Sequence, residues 1–257
     1  TSRGTRGKAG TRSQGEDAVK LFIGCNDHDT LLLFSDRGVS YALPAYRVPQ
    51  CSRTAKGTPV VQLLPIPREE AITSLLAVSE FNDDADLLML TQGGFIKRTR
   101  LSAFSNIRSN GLIAIGLEDG DALTWVRLSV PGDSVLIGSK AGMTIHFRLS
   151  DDELRPLGRT ARGVRSMNLR SGDELVSMDV LPVELADQIA ASSDDSDDEG
   201  TPASEGPWVL VASAAGLGKR VPVTQFRLQK RAGMGLRAMK FRTDADQLVG
   251  LSVLGAG

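Results

Sequence analysis

One short phrase occurs four times in this chain: one or two basic residues, a few small or polar ones, a glycine, then an alternating apolar stretch. It reads Arg53-Thr-Ala-Lys-Gly57-Thr-Pro-Val-Val-Gln-Leu63, then Arg108-Ser-Asn-Gly111-Leu-Ile-Ala-Ile-Gly-Leu117. It returns as Arg159-Thr-Ala-Arg-Gly163-Val-Arg-Ser-Met-Asn-Leu169 and as Arg231-Ala-Gly-Met-Gly235-Leu-Arg-Ala-Met-Lys-Phe241. The glycines are 54, 52 and 72 residues apart. A period of this size is the signature of one supersecondary unit repeated in a stack or a ring.

Two further landmarks recur in order with it. An apolar strand running into a glycine hairpin precedes each phrase: Leu31–Gly38, Leu87–Gly94, Val135–Gly142 and Val209–Gly216. Tight hairpins demand positive φ, which glycine adopts freely. A Gly/Asp-rich turn and another apolar strand follow the later phrases, as in Asp119–Leu128, Ser171–Val180 and Thr243–Leu254. Each unit therefore holds about four short strands, and no segment carries a long 3.6-residue apolar period. Leu43–Val48, Leu101–Asn106 and Pro222–Arg227 are helical turns or loops at most. About fifty residues and four strands per unit predict an all-β propeller blade. A plain antiparallel sandwich is the weaker alternative, because it does not require the landmarks to recur in register.

The 257 residues are expected to form a single domain, 1–257, interrupted by an acidic insert over 190–207. That segment supplies the surplus in the longest repeat interval and consists mostly of Ser, Asp, Glu, Gly and Pro. It lacks the apolar surface to offset its ordering entropy, which predicts a disordered loop. It reads as a solvated insertion or, more sharply, as an acidic mimic competing with DNA for a basic surface. Thr1–Gln14 resembles the second half of a repeat, and Leu251–Leu254 is a strand with nothing after it. An unpaired edge is an aggregation liability, so the chain is expected to be a fragment or to pair its two ends.

The net charge of −1 conceals an asymmetry. Residues 184–207 carry eight acidic residues and no Lys or Arg, leaving 30 basic against 23 acidic residues elsewhere. That balance favours nucleic acid or another polyanion as partner. Catalytic patterns are missing. There is no HExxH, GxSxG, P-loop or helix-opening GxGxxG, and His28 and His146 stand alone. Asp83, Asp84 and Asp86 read as a turn, since EF-hand spacing is absent. Tyr41 and Tyr46 have no neighbouring base or metal pattern. Cys25 and Cys51 read as free thiols. No apolar run approaches the roughly 20 residues that cross a bilayer.

The positive signal is the basic set. Arg53, Lys56, Arg108, Arg159, Arg162, Arg165, Lys230, Arg231 and Arg237 lie in the repeated phrases. Lys97, Arg98, Arg100, Arg148, Lys219 and Arg220 follow the hairpins. Rotated copies would put equivalent loops on one ring, able to follow the phosphates of a bent duplex. Aromatic residues make up 5% of the chain and are not interleaved with these cations, which disfavours base stacking. No recognition helix is visible for the major groove. Backbone attraction with DNA deformation remains. A propeller scaffold for protein partners and a propeller enzyme with a channel site are the other classes. The first predicts no DNA bending, and the second lacks any catalytic constellation.

The opening Thr1-Ser-Arg3-Gly4-Thr5-Arg6-Gly7-Lys8 is similar to the GyrA box, a Q-[RK]-R-G-G-[RK]-G motif. Arg3, Gly4, Arg6 and Gly7 match; Thr1, Ser2 and Thr5 depart from it. With Phe34-Ser-Asp-Arg-Gly-Val, Gly57-Thr-Pro-Val-Val-Gln-Leu-Leu-Pro and Thr160-Ala-Arg-Gly-Val-Arg in order, the chain resembles the C-terminal domain family of the DNA gyrase A subunit. The resemblance covers nearly everything except the acidic insert. It implies a β-pinwheel, a propeller variant that exchanges strands between blades, with six blades when complete. It implies non-specific wrapping of double-stranded DNA for negative supercoiling by a type IIA topoisomerase. The implied DNA contacts add Arg3, Arg6, Lys8 and Arg12 to the basic set. The chain itself would be non-catalytic and without cofactor or metal. ATP, Mg and the cleavage tyrosine would belong to other parts of an A2B2 holoenzyme with the gyrase B subunit. The implied location is the cytoplasm, at the bacterial nucleoid, or an organellar equivalent, with no membrane. The topoisomerase IV A subunit is the alternative within the same class.

Overall fold

A computed structural model describes residues 19–52, 55–185, 207–243 and 245–254. The first repeat supplies β1 (Thr30–Ser35), β2 (Val39–Pro44) and β3 (Ile72–Val78). The second supplies β4 (Asp86–Thr91), β5 (Phe95–Arg100), the two-residue β6 (Leu112–Ile113) and β7 (Leu123–Ser129). The third supplies β8 (Ser134–Ser139), β9 (Met143–Arg148), the short helix α1 (Asp151–Leu154), β10 (Val164–Arg165) and β11 (Leu175–Leu181). The fourth supplies β12 (Trp208–Ser213), β13 (Gly218–Pro222), β14 (Leu236–Arg237) and β15 (Leu248–Leu254).

These strands build four antiparallel sheets, in the orders β3-β1-β2-β6, β7-β4-β5-β10, β11-β8-β9-β14 and β15-β12-β13. The second, third and fourth repeats hold four strands each, as expected, but the first three sheets are each built from two repeats. The strand inside the second, third and fourth phrases is lent to the sheet of the preceding repeat, as the pinwheel resemblance implies, whereas the first phrase forms a 3-10 turn at Val60–Gln62. The strand-lending joint recurs atom for atom. The amide of the third residue after the glycine of the second, third and fourth phrases donates to the carbonyl of the preceding repeat's hairpin glycine. The pairs are Ala114 to Gly38 at 2.8 Å, Ser166 to Gly94 at 2.8 Å and Ala238 to Gly142 at 2.9 Å. Gly163 shows why the phrase needs its glycine. Its φ is +98°, and a Cβ there would stand 2.5 Å from the Ile96 carbonyl oxygen.

Period-two alternation sorts the apolar residues between neighbouring sheets. On β4, Leu87 and Met89 join Leu32, Phe34 and Phe104 in a core toward the first sheet. Leu88 and Leu90 face the third, with Ile137, Ile145 and Phe147. All six β4 residues are buried, which is why the strand reads as an almost continuous apolar run. Leu136 then meets Val209, Val211 and Leu248 in the next core. The return strands pack on each other in series, β3 on β7, β7 on β11 and β11 on β15, so they are the inner strands. The lent strands form the outer edges.

The Gly/Asp turns have a specific job. Asp121 Oδ1 accepts the Gly93 amide at 2.7 Å, Asp173 Oδ1 that of Ala141 at 2.9 Å, and Asp246 Oδ1 that of Ala215 at 2.9 Å. Each aspartate thereby ties the inner strand to the hairpin of its own sheet. The helical turns expected after the second hairpin strand are 3-10 turns at Ala45–Arg47, Leu101–Phe104 and Val223–Gln225. In the third repeat that place is taken by α1, capped by Ser150 Oγ, which accepts the Glu153 amide. Cys25 and Cys51 are free and exposed. No helix among the described residues is long and apolar enough to cross a membrane.

Candidate nucleic-acid interface

The outer edge collects cations of the three lent phrases. Arg108, Arg162, Arg165, Lys230 and Arg237 are exposed, as is Lys56 of the first phrase. The hairpin residues Lys219 and Arg220 on β13 are exposed as well. Register explains the placement of two of them. Arg165 pairs with Phe95 on β5 and Arg237 with Met143 on β9, so both stand at the same point of successive sheets. The first sheet has Ile113 there, opposite Val39 and 54% exposed, so the edge is charged on the second and third sheets but apolar on the first.

Their partners divide them further. Lys56, Arg108, Lys219, Lys230 and Arg237 have no side-chain hydrogen bond or ion pair among the described residues. Arg108 borders a groove of about 520 Å³ with Asn106, Asn110 and Arg159. The Arg162 guanidinium lies 4.3 Å and that of Arg165 5.0 Å from the Phe95 ring centre, and Arg220 lies 5.2 Å from the Trp208 ring. Such contacts contribute about 0.5–1 kcal/mol each at exposed sites. Arg162 also pairs with Glu118, with both side chains about half exposed, a geometry that contributes little.

Two phrase arginines brace the fold. Arg159 Nη1 donates to the Ala103 carbonyl at 2.8 Å, across to the short helix of the preceding repeat. Arg231 Nε donates to the equivalent Glu153 carbonyl at 3.0 Å, and its Nη1 to the Arg165 carbonyl at 2.7 Å. Both are half-buried. Arg148 is half-buried with Nη1 3.5 Å from the Gly132 carbonyl. Arg100 Nη1 lies 3.5 Å from Asp86 and donates to the Asp83 carbonyl at 3.1 Å.

Lys97 and Arg98 are corrections to the expected DNA-contacting set. Lys97 is fully buried, with Nζ donating to the carbonyls of Gly158 at 3.0 Å and Arg159 at 2.5 Å. Burial, with the Arg159 charge assisting, pushes its pKa down to about 7. Arg98 is 2% exposed, donates to the Leu149 carbonyl at 2.8 Å and pairs with Asp151 and Asp86. Neither reaches a surface where a phosphate would lie. Of the acidic residues read as a turn, Asp83 and Asp84 lie in a bend between β3 and β4, and only Asp86 departs from that reading. Asp86 begins β4 fully buried; burial pushes its carboxyl pKa up, opposed by Arg100 and Arg98.

Sequence reasoning missed Phe95 and Trp208 as arginine platforms, and it missed the acidic turn of α1. The excess of cations in the third phrase was visible; their shared ring, 67 residues before Arg162, was not. Arg3, Arg6, Lys8, Arg12 and Arg53 lie outside the described residues. So do Gly4, Thr5 and Gly7 of the box-like segment, and the acidic insert except Pro207. Among the described residues, no group of three or more His, Cys, Asp or Glu is arranged to hold a metal ion.

The family described as "DNA gyrase C-terminal domain, beta-propeller" matches residues 29–79, 85–129, 133–182 and 207–254, one stretch per sheet. The chain is 56% identical over 265 residues to the DNA gyrase A subunit of Synechocystis sp., covering 99% of the chain and 31% of that relative. It is 43% identical over 253 residues to the chloroplastic/mitochondrial DNA gyrase A subunit of Arabidopsis thaliana, covering 98% of the chain and 26% of that relative. It thus spans a third or less of the length of these relatives. The fold is shared with a crystal structure of the C-terminal domain of DNA topoisomerase IV. There the TM-score is 0.70 at 24% identity, over 88% of this chain and 64% of that one. A structure of the DNA gyrase A C-terminal domain gives a TM-score of 0.53 at 22% identity, over 95% and 92% of the two chains.

Proposed function

The chain belongs to the DNA gyrase C-terminal domain, beta-propeller family, and from that premise we propose that it binds and bends double-stranded DNA around its outer edge. The observation that carries this reading is the alignment of exposed, largely unpartnered cations on that edge. Arg108, Arg162, Arg165, Lys230 and Arg237 come from three consecutive phrases lent across three sheets. Lys and Arg there neutralise phosphates and release counterions, which makes attraction strong and insensitive to base sequence. Among the described residues no helix is long enough to enter the major groove, and the two rings near the cations, Phe95 and Trp208, are already covered by arginines. Base readout has no evident instrument.

Within a longer A subunit, the bent duplex would be handed to the parts that cleave and pass DNA. The gyrase B subunit would complete an A2B2 assembly in a bacterial cytoplasm or an organelle. Strand cleavage, ATP and Mg belong to those parts in this reading, and the chain contributes shape and charge. The test is binding to a random-sequence duplex across a salt series, with energy transfer between dyes on the two DNA ends. Binding that falls steeply with salt and transfer that rises on binding are expected. A flat salt dependence, or unchanged transfer at saturation, would sink the proposal.

A further inference from the structure

We propose that Phe95 is a positioning residue for DNA binding, a platform that holds Arg162 and Arg165 as one ready-made phosphate seat; this rests on the reading of the outer edge as the DNA surface. Phe95 opens β5, and its amide donates to Thr91 Oγ1 at 3.1 Å, which fixes the ring at the hairpin. Its backbone pairs with Arg165 on the lent strand β10. Phe95 is 9% exposed although it lies beside the outermost strand, and the two guanidiniums lie 4.3 and 5.0 Å from its ring centre.

Two cations drawn to one ring repel each other, and the negative ring face offsets part of that cost. A guanidinium held over a ring keeps its in-plane N–H donors available, and those donors match a phosphate in a two-pronged fork. Glu118 holds Arg162 meanwhile, and a phosphate would take its place. Ordering these long side chains before the ligand arrives lowers the entropy lost on binding. The molecule carries its own comparison. Arg237 stands at the same register position opposite Met143, with no ring beneath it and no partner among the described residues.

The experiment measures duplex affinity of the chain at one moderate salt concentration. Its variants are Phe95→Leu, Phe95→Trp, the pair Arg162→Lys with Arg165→Lys, and Phe95→Leu added to that pair. Phe95→Leu is expected to bind about fivefold more weakly, and Phe95→Trp to restore binding, because tryptophan offers the best cation–π face. The lysine pair keeps both charges but fits the stacked fork poorly, so it should also weaken binding. Phe95→Leu should then cost nothing further in that background. An equal Phe95→Leu loss in both backgrounds, or a lysine pair that binds like the parent, overturns the proposal. The latter reading stands even if Phe95→Leu fails to fold. Replacing both arginines by alanine without weakening binding would instead contradict the DNA reading of this edge itself.

Discussion

Lys97 and Arg98 are neighbours in sequence, both cationic and both buried, yet they answer burial differently. Arg98 is surrounded by Asp86, Asp151 and a carbonyl. Lys97 has two carbonyls and no carboxylate, and its pKa falls to about 7 from 10.5. A neutral amine still donates to both carbonyls. The unfolded chain binds a proton at Lys97 up to about pH 10.5, whereas the folded chain releases it near 7. In that window the unfolded state holds more protons, so raising the pH stabilises the fold, by at most roughly 5 kcal/mol across the whole interval. Tyr41 acts oppositely above pH 10. Burial and its bond to Glu70 push its pKa up to about 12, so stability falls as pH rises through that range. Urea midpoints measured from pH 7 to 10 should therefore climb, and Lys97→Met should flatten the climb. An unchanged slope in Lys97→Met would show that another group carries it.

The lent strand is the element on which the architecture depends, and glycine is what lets it dock. At Gly163 a side chain would meet both an unfavourable φ and the Ile96 carbonyl at 2.5 Å. Gly163→Ala is expected to destabilise the chain by about 1–3 kcal/mol, read as a lower urea midpoint. Gly172→Ala, with φ +79° but open space around it, isolates the backbone share and should cost less. Equal losses would argue against the contact. This glycine was legible in the sequence because turn chemistry and strand alternation are local constraints. So were the hairpins, the short helical turns and the fifty-residue period. The acceptor of each lent strand was not legible from spacing, since Val164 finds Ile96 across 68 residues; only family resemblance implied the exchange. The burial of Lys97 and Arg98 was hidden for a related reason. β5 carries charges on positions that packing covers from both sides, and a strand with polar residues reads as half solvated. α1 escaped notice because its Asp-Asp-Glu turn breaks the pattern of its three counterparts, which have no acidic residue in their first turns.

On the proposed reading, DNA binding is distributed over the whole molecule, and distribution has measurable consequences. If each edge cation neutralises one phosphate, its loss should lower the slope of log affinity against log salt by about 0.9. Arg108→Ala and Arg237→Ala sit on phrases lent to different sheets, so their effects should add. Lys97→Met should leave the slope unchanged, because that amine is inside. Additivity fails if the two arginines share one contact, and a reduced slope in Lys97→Met would return that residue to the interface. Contacts spread around consecutive sheets also require the duplex to curve, at about 1–6 kcal/mol for a 20–30 bp site bent by 40–90°. DNA that is already curved has met that cost before binding. A covalently closed minicircle should accordingly bind more tightly than a linear duplex of the same length and sequence, and Arg108→Ala with Arg237→Ala should shrink the difference. A preference for minicircles that survives the double substitution would place the bend on other residues. Equal affinity for the two forms would mean that DNA crosses this edge straight, touching one sheet at a time.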